Sequence, residues 1–201
     1  MNNKRFSPRN MAMIGMLSAI SFILMFLEFS IPIMPSFIKL DLSELPALIG
    51  AFAYGPVAGV MIEFCKILIK LVLKPSSTAF VGELANFSIS CMLVLPASVI
   101  YLFKKSRKQA ILGTVVGTLI MTAFGSCFNV IYLLPKFSEL YGIPLDAIIG
   151  MGTAINPAIH SISGLVLMCV VPLNLLKGGL VSLITILVYK KLSPILKAAH
   201  K

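Results

Sequence analysis

The sequence predicts an all-α integral membrane protein: a six-transmembrane-helix bundle with both termini cytoplasmic and an outer cap between helices five and six. Three observations predict it. The 201-residue chain is 58% hydrophobic and only 12% charged, with mean hydropathy +1.00, whereas soluble domains run near 45–50% apolar and about 25% charged. Its uncharged runs approach or exceed the roughly 20 residues that span a bilayer. Its basic residues gather in three segments that a six-span layout places on one side. The same composition argues against a soluble globular enzyme and against a disordered chain.

The spans follow in order. Lys4, Arg5 and Arg9 lead into an uncharged run of 18 residues, Asn10 to Leu27, closed by Glu28. This imitates a signal peptide, but no A-x-A site follows, so it reads as a retained first span at about 10–28. Residues 45–62 form a second uncharged run of 18, interrupted by Gly55-Pro56. Proline cannot continue a helix and glycine supplies the turn, which splits the region into helices at about 43–54 and 56–73. The runs 84–103 and 109–135, of 20 and 27 residues, supply spans at about 84–103 and 109–134.

The run 147–176 contains Pro157 and Pro172, and a further apolar stretch, 178–189, follows Lys177. Two spans fit this region, or one span at 172–190 with 136–170 as an outer cap. Charge arbitrates. Lys4, Arg5, Arg9, Lys104, Lys105, Arg107, Lys108, Lys190, Lys191, Lys197 and Lys201 are 11 of the 17 basic residues, and none of the seven acidic residues shares their segments. Six spans put all 11 on the cytoplasmic side; seven would place Lys190 to Lys201 outside. Pro172 then suits the first turn of helix six, where its missing N–H costs nothing. The net charge of +10 is thus a matter of topology and calls for no nucleic-acid partner. The chain reads as a single membrane domain, 1–201.

Polar groups inside a membrane are expensive, so their positions are informative. Asp41, Ser43 and Glu44 open helix two at the outer side, and Glu83 and Asn86 open helix four. Asn129 lies six residues inward of Pro135; Asn174 and Lys177 lie two and five residues inward of Pro172. Six and five residues of helix are about 9 and 7.5 Å, so Asn129 and Lys177 share a depth. Asn174 and Lys177, three apart, share a face. Gly113, Gly117, Met121, Gly125 and Asn129 recur every four residues, a spacing that lets helices approach closely and turns Asn129 into the bundle. The set converges on one outward-facing pocket. On helix three, Glu63 and Lys66 are spaced for an intramembrane ion pair, with Lys70 and Lys74 extending the stripe.

Signs of catalysis are scarce. There is no GxSxG elbow, no HExxH and no Gly-Lys dipeptide, hence no Walker A loop. His160-Ser161 has no acid nearby in sequence. Cys65, Cys91, Cys127 and Cys169 are separated by 26, 36 and 42 residues and read as small buried hydrophobes, not a metal set. On helix one, Ala12, Gly15 and Ala19 make a small-residue face, open either to another helix of this chain or to a separate protein.

Several stretches together resemble the riboflavin-specific substrate-binding (S) components of energy-coupling factor (ECF) transporters, the RibU family. They are Ile38-Lys39-Leu40-Asp41-Leu42-Ser43-Glu44-Leu45-Pro46, Ala53-Tyr54-Gly55-Pro56-Val57-Ala58-Gly59, Val81-Gly82-Glu83-Leu84-Ala85-Asn86-Phe87, Asn129-Val130-Ile131-Tyr132-Leu133-Leu134-Pro135 and Pro172-Leu173-Asn174-Leu175-Leu176-Lys177-Gly178. The resemblance covers nearly the whole chain and is weakest over 136–171. It implies a non-enzymatic plasma-membrane subunit, without a cofactor of its own, that binds riboflavin from outside. A transmembrane coupling protein (EcfT) and two ABC ATPases would supply the energy. It also implies that Glu44, Asn129, Asn174 and Lys177 hold the flavin. Asp41, Lys66 and Asn86 join the candidates from the layout. The coupling protein would pack on Gly15 and Ala19, with Ala12 on the same face; Gly-x-x-x-Ala stands here where the family has Ala-x-x-x-Ala. FMN or another vitamin as ligand, a small membrane enzyme and a self-contained transporter are the competing readings. The enzyme lacks a nucleophile–base set and the self-contained transporter lacks an internal repeat.

Overall fold

The computed structural model describes residues 7–198 apart from 33, 36, 37 and 77, with side chains as far as 188. Lys4, Arg5, His200 and Lys201 lie outside the described residues, as do the side chains of Lys190, Lys191 and Lys197. Helix α1 runs Pro8–Phe26, α2 Glu44–Tyr54, α3 Pro56–Leu73, α4 Val81–Phe103 and α5 Arg107–Phe128. Short helices α6 (Leu134–Tyr141), α7 (Leu145–Thr153) and α8 (Ile162–Leu165) precede the long α9 (Val171–Ala198). Local chemistry sets the boundaries. Ser7, Ser106 and Ser161 accept from the backbone N–H three residues on, capping α1, α5 and α8. Gly55, at φ +99°, makes the reversal between α2 and α3 that a side chain would strain, and Pro56 occupies the first turn of α3.

Four stretches among the described residues are long and apolar enough to cross a membrane: 8–26, 81–103, 107–141 and 162–188. Helix α2 has 11 residues, a rise of about 16 Å, about half of a hydrocarbon core. Helix α3 has 18 residues but carries Glu63, Lys66 and Lys70.

The structure departs from the sequence reading in three places. The chain is not purely α: β1 (Phe29–Ser30) and β2 (Lys39–Leu40) form a small antiparallel hairpin between α1 and α2. The last helical stretch begins at Ile162, not at Pro172, so 162–170 is helical. Helix five also continues past 134 to Tyr141. The physical reason is the same at both ends. A π-helical turn, Asn129–Leu133, directly precedes Leu134-Pro135, and another, Val166–Val170, precedes Val171-Pro172. Leu134 and Val171 each donate to the carbonyl five residues back. A wider, five-residue turn thus stands directly before each proline, and the helix passes through the proline instead of stopping.

Glycines draw α4 and α5 together. A Cβ on Gly113 would lie 2.5 Å from the Ala97 carbonyl oxygen, and one on Gly117 2.5 Å from that of Leu93. Gly178 of α9 similarly faces Thr118 of α5. One apolar cluster joins Met34, Ile38 and Leu40 to Leu134, Ile148, Ile159 and Leu165. A second, around Leu48, Phe52, Leu93, Tyr101 and Val181, and a third, around Ile14, Ala47, Ile62 and Val94, fill the other end. Along α5 and α9 the polar candidates fall between these clusters. Of the four cysteines, Cys91 and Cys169 are buried but Cys127 is exposed; on the outward side of α5 a thiol meets lipid as readily as a core.

Candidate functional site

A cavity of about 280 Å³ opens between the hairpin, the α2 N-terminus, α4, the end of α5 and the start of α9. A wider depression of about 480 Å³ lies on the outside of α7, among Asp146, Thr153 and His160, but no buried charge faces it. The smaller cavity holds the chemistry.

Asp41, Glu44, Asn86, Asn129, Asn174 and Lys177 all line it. Lys177, nearly buried on α9, is its centre. Its Nζ donates to Asp41 Oδ2 at 3.1 Å and pairs with Glu44 Oε1 at 2.7 Å. Glu44, the first residue of α2, is 1% exposed and also accepts from Ser90 Oγ at 2.7 Å. Asp41 sits in the loop before α2. Burial alone would raise its carboxyl pKa, but the charges of Lys177 and then Lys66 outweigh that and hold it at about 2. Asn129 opens the π-helical turn of α5, which turns it inward; its Nδ2 donates to the Gly125 carbonyl at 2.7 Å. Asn174 packs against Gly125, where a Cβ would stand 2.9 Å from its Nδ2.

Three polar atoms on this wall are buried without a hydrogen-bond partner: Glu44 Oε2, Asn86 Oδ1 and Asn174 Nδ2. Leaving such an atom unsatisfied costs about 1–3 kcal/mol. Two acceptors and one donor are therefore left unpaired on side chains that line the cavity together with Met25, Ile38, Ile89, Leu133, Phe137 and Leu173. The arrangement suits a flat, largely apolar molecule with hydrogen-bonding edges.

Lys66 is not brought to the wall. It is fully buried behind it, paired with Glu63 at 2.5 Å. Ser90 was not among the sequence candidates. Its spacing of four from Asn86 places both on one face of α4 and was a usable signal. Ala12, Gly15 and Ala19 are exposed on the outer side of α1, away from its buried Ile14, Ser18 and Ser21, and a Cβ on Gly15 would meet nothing within 4 Å.

Comparison with known proteins shows the family. The family described as ECF transporter, substrate-specific component matches residues 9–189. The chain belongs to that family. This S component is 34% identical over 184 residues to riboflavin transporter RibU of Staphylococcus aureus, covering 92% of this chain and 90% of that protein. It is 31% identical over 189 residues to riboflavin transporter FmnP of Bacillus subtilis, covering 92% and 93%. A solved S component of a bacterial ECF transporter superposes with a TM-score of 0.71 at 35% identity, over 94% of this chain and 98% of that one. The S component is a multi-pass protein of the plasma membrane and not an enzyme.

Proposed function

We propose that this S component captures riboflavin from outside the cell for ATP-driven import. Glu44, Asn129, Asn174 and Lys177 hold the flavin, with Asp41 and Asn86 completing the polar wall. The observation that supports this reading is the convergence of Asp41, Glu44, Asn86, Asn129, Asn174 and Lys177 on one cavity, with Glu44 Oε2, Asn86 Oδ1 and Asn174 Nδ2 left without a partner. An isoalloxazine ring offers carbonyl acceptors and an imide N–H, and a ribityl chain offers hydroxyls; carboxylate, amide and ammonium groups answer all of these. Phe137, Met25 and the leucines would lie against the ring. The names of the relatives support the same ligand.

A neutral flavin suits the cavity better than FMN. Lys177 is already committed to two carboxylates, and Lys39 at the mouth pairs with Glu28. A phosphate would find no uncommitted cation among the described lining residues.

The chain is one membrane domain of six spans, α1, α2, α3, α4, α5 continued by α6, and α9 preceded by α8, with both termini cytoplasmic and α7 as the outer cap. In this layout the shortness of α2 has a purpose. Its first residue, Glu44, starts well below the outer surface and so reaches the depth of Lys177. The small face Ala12, Gly15 and Ala19 receives the coupling protein EcfT, which two ABC ATPases drive, and riboflavin is substrate, not cofactor. Absorbance of the purified protein tests the ligand: a flavin spectrum, with the released compound identified as riboflavin by chromatography, supports the reading. A protein that stays colourless after incubation with riboflavin removes it.

A further inference from the structure

The buried pair Glu63–Lys66 is the feature that ligand contact does not account for. Both side chains are 0% exposed and neither lines the cavity. A buried ion pair is weak evidence for stability, since well-packed apolar residues usually do as well. In a membrane helix it is costlier still.

What sets this pair apart is where the lysine's other bond goes. Lys66 Nζ donates to Ser43 Oγ at 3.1 Å. Ser43 is the N-cap of α2, and a serine there ordinarily accepts from the first turn of its own helix, an interaction worth about 1 kcal/mol. Here its hydroxyl makes no capping bond. Its other two polar groups are also held. The Ser43 N–H donates to Asp41 Oδ1 at 2.8 Å, and its carbonyl accepts from Ser21 Oγ of α1 at 2.8 Å. Two helices, α1 and α3, and its own loop thus fix one residue, and that residue lies between Asp41 and Glu44, the two carboxylates that converge on Lys177.

We propose that Lys66, held by Glu63 and acting through Ser43, is a positioning residue for flavin binding: it sets the Asp41–Glu44 segment in its binding geometry before the ligand arrives. The inference rests on the riboflavin reading above. A segment already ordered in the bound shape loses less freedom on binding, which appears as affinity.

The test is a double-mutant cycle on the purified full-length chain, read by riboflavin titration and by thermal unfolding without ligand. Ser43→Ala removes one oxygen and no capping bond. It should raise the dissociation constant about fivefold or more while moving the unfolding midpoint little. Glu63→Gln/Lys66→Met, which removes the pair without stranding a charge, should weaken binding by about tenfold. Adding Ser43→Ala to it should cost little more, because both act along one path. Wild-type affinity in the folded Ser43→Ala protein overturns the proposal. So do losses that add in full, and so does a fall in midpoint with an unchanged dissociation constant. If the pair variant does not fold, Ser43→Ala alone decides. Lys177→Ala separates the two levels: if it too binds as wild type, the riboflavin site itself is wrong, whereas weakened Lys177→Ala beside unaffected Ser43→Ala defeats only the positioning role.

Discussion

Lys177 and Asp41 are 136 positions apart, and the Nζ of one lies 3.1 Å from the Oδ2 of the other. The bond ties the last helix to the loop before α2 and closes one side of the cavity. Asp41 is held at about 2 against an ordinary 3.8. The folded pKa is the lower one, so the contribution is fully present above about pH 4 and is lost as pH falls towards 2. Its size is on the order of 2 kcal/mol. Thermal unfolding followed from pH 6 to pH 2 should therefore show a fall in this window that Asp41→Asn largely lacks. Equal pH dependence in both proteins contradicts the assignment.

Replacing Asn129 or Lys177 by Ala should weaken riboflavin binding by roughly 1–3 kcal/mol, about 5- to 150-fold. Asn129→Ala should leave folding nearly unchanged. Lys177→Ala should also lower the unfolding midpoint, because it leaves Asp41 and Glu44 facing each other. Isothermal titration on both variants checks this, and unchanged dissociation constants would take these residues out of the site.

Two glycine positions should respond in opposite ways. A side chain at Gly117 meets the backbone carbonyl of Leu93, which cannot swing aside. Gly117→Val should cost at least about 1–3 kcal/mol and separate α4 from α5. Gly15 faces open space. Gly15→Trp should fold and bind riboflavin normally, while cells that depend on it lose uptake and the subunit no longer co-purifies with its ATPases. Normal uptake by Gly15→Trp would place the docking face elsewhere.

Topology is checked by impermeant thiol labelling in intact cells, with the native cysteines removed. A cysteine at exposed His160, beside the cap, should label, and one at exposed Lys105, between α4 and α5, should not. The reverse pattern would invert the orientation.

The glycine spacing in helix five was legible because close packing needs small residues at intervals of four, and Gly113, Gly117 and Gly125 all meet a neighbouring helix. Asn129, Asn174 and Lys177 do line one cavity, but the depth count that grouped them relied on a constant rise measured from Pro135 and Pro172 as helix ends. That rule failed where the helix is not regular. Pro135 and Pro172 read as helix boundaries, yet each is accommodated by a π-helical turn, and no residue type announces such a turn. The hairpin pairing Phe29 with Leu40 was hidden for a different reason: strands of two residues have no periodicity to detect. Ser43 was placed at the right end of helix two, but its engagement with Lys66, 23 residues on, is a tertiary contact that sequence spacing does not encode.

The central claim is that this cavity binds riboflavin, and flavin fluorescence tests it most directly. Purified protein freed of ligand should quench the emission of added riboflavin to a sharp saturation point at one flavin per chain, and excess FMN should compete poorly. A folded protein that leaves the emission unchanged at flavin concentrations up to its own would contradict the account.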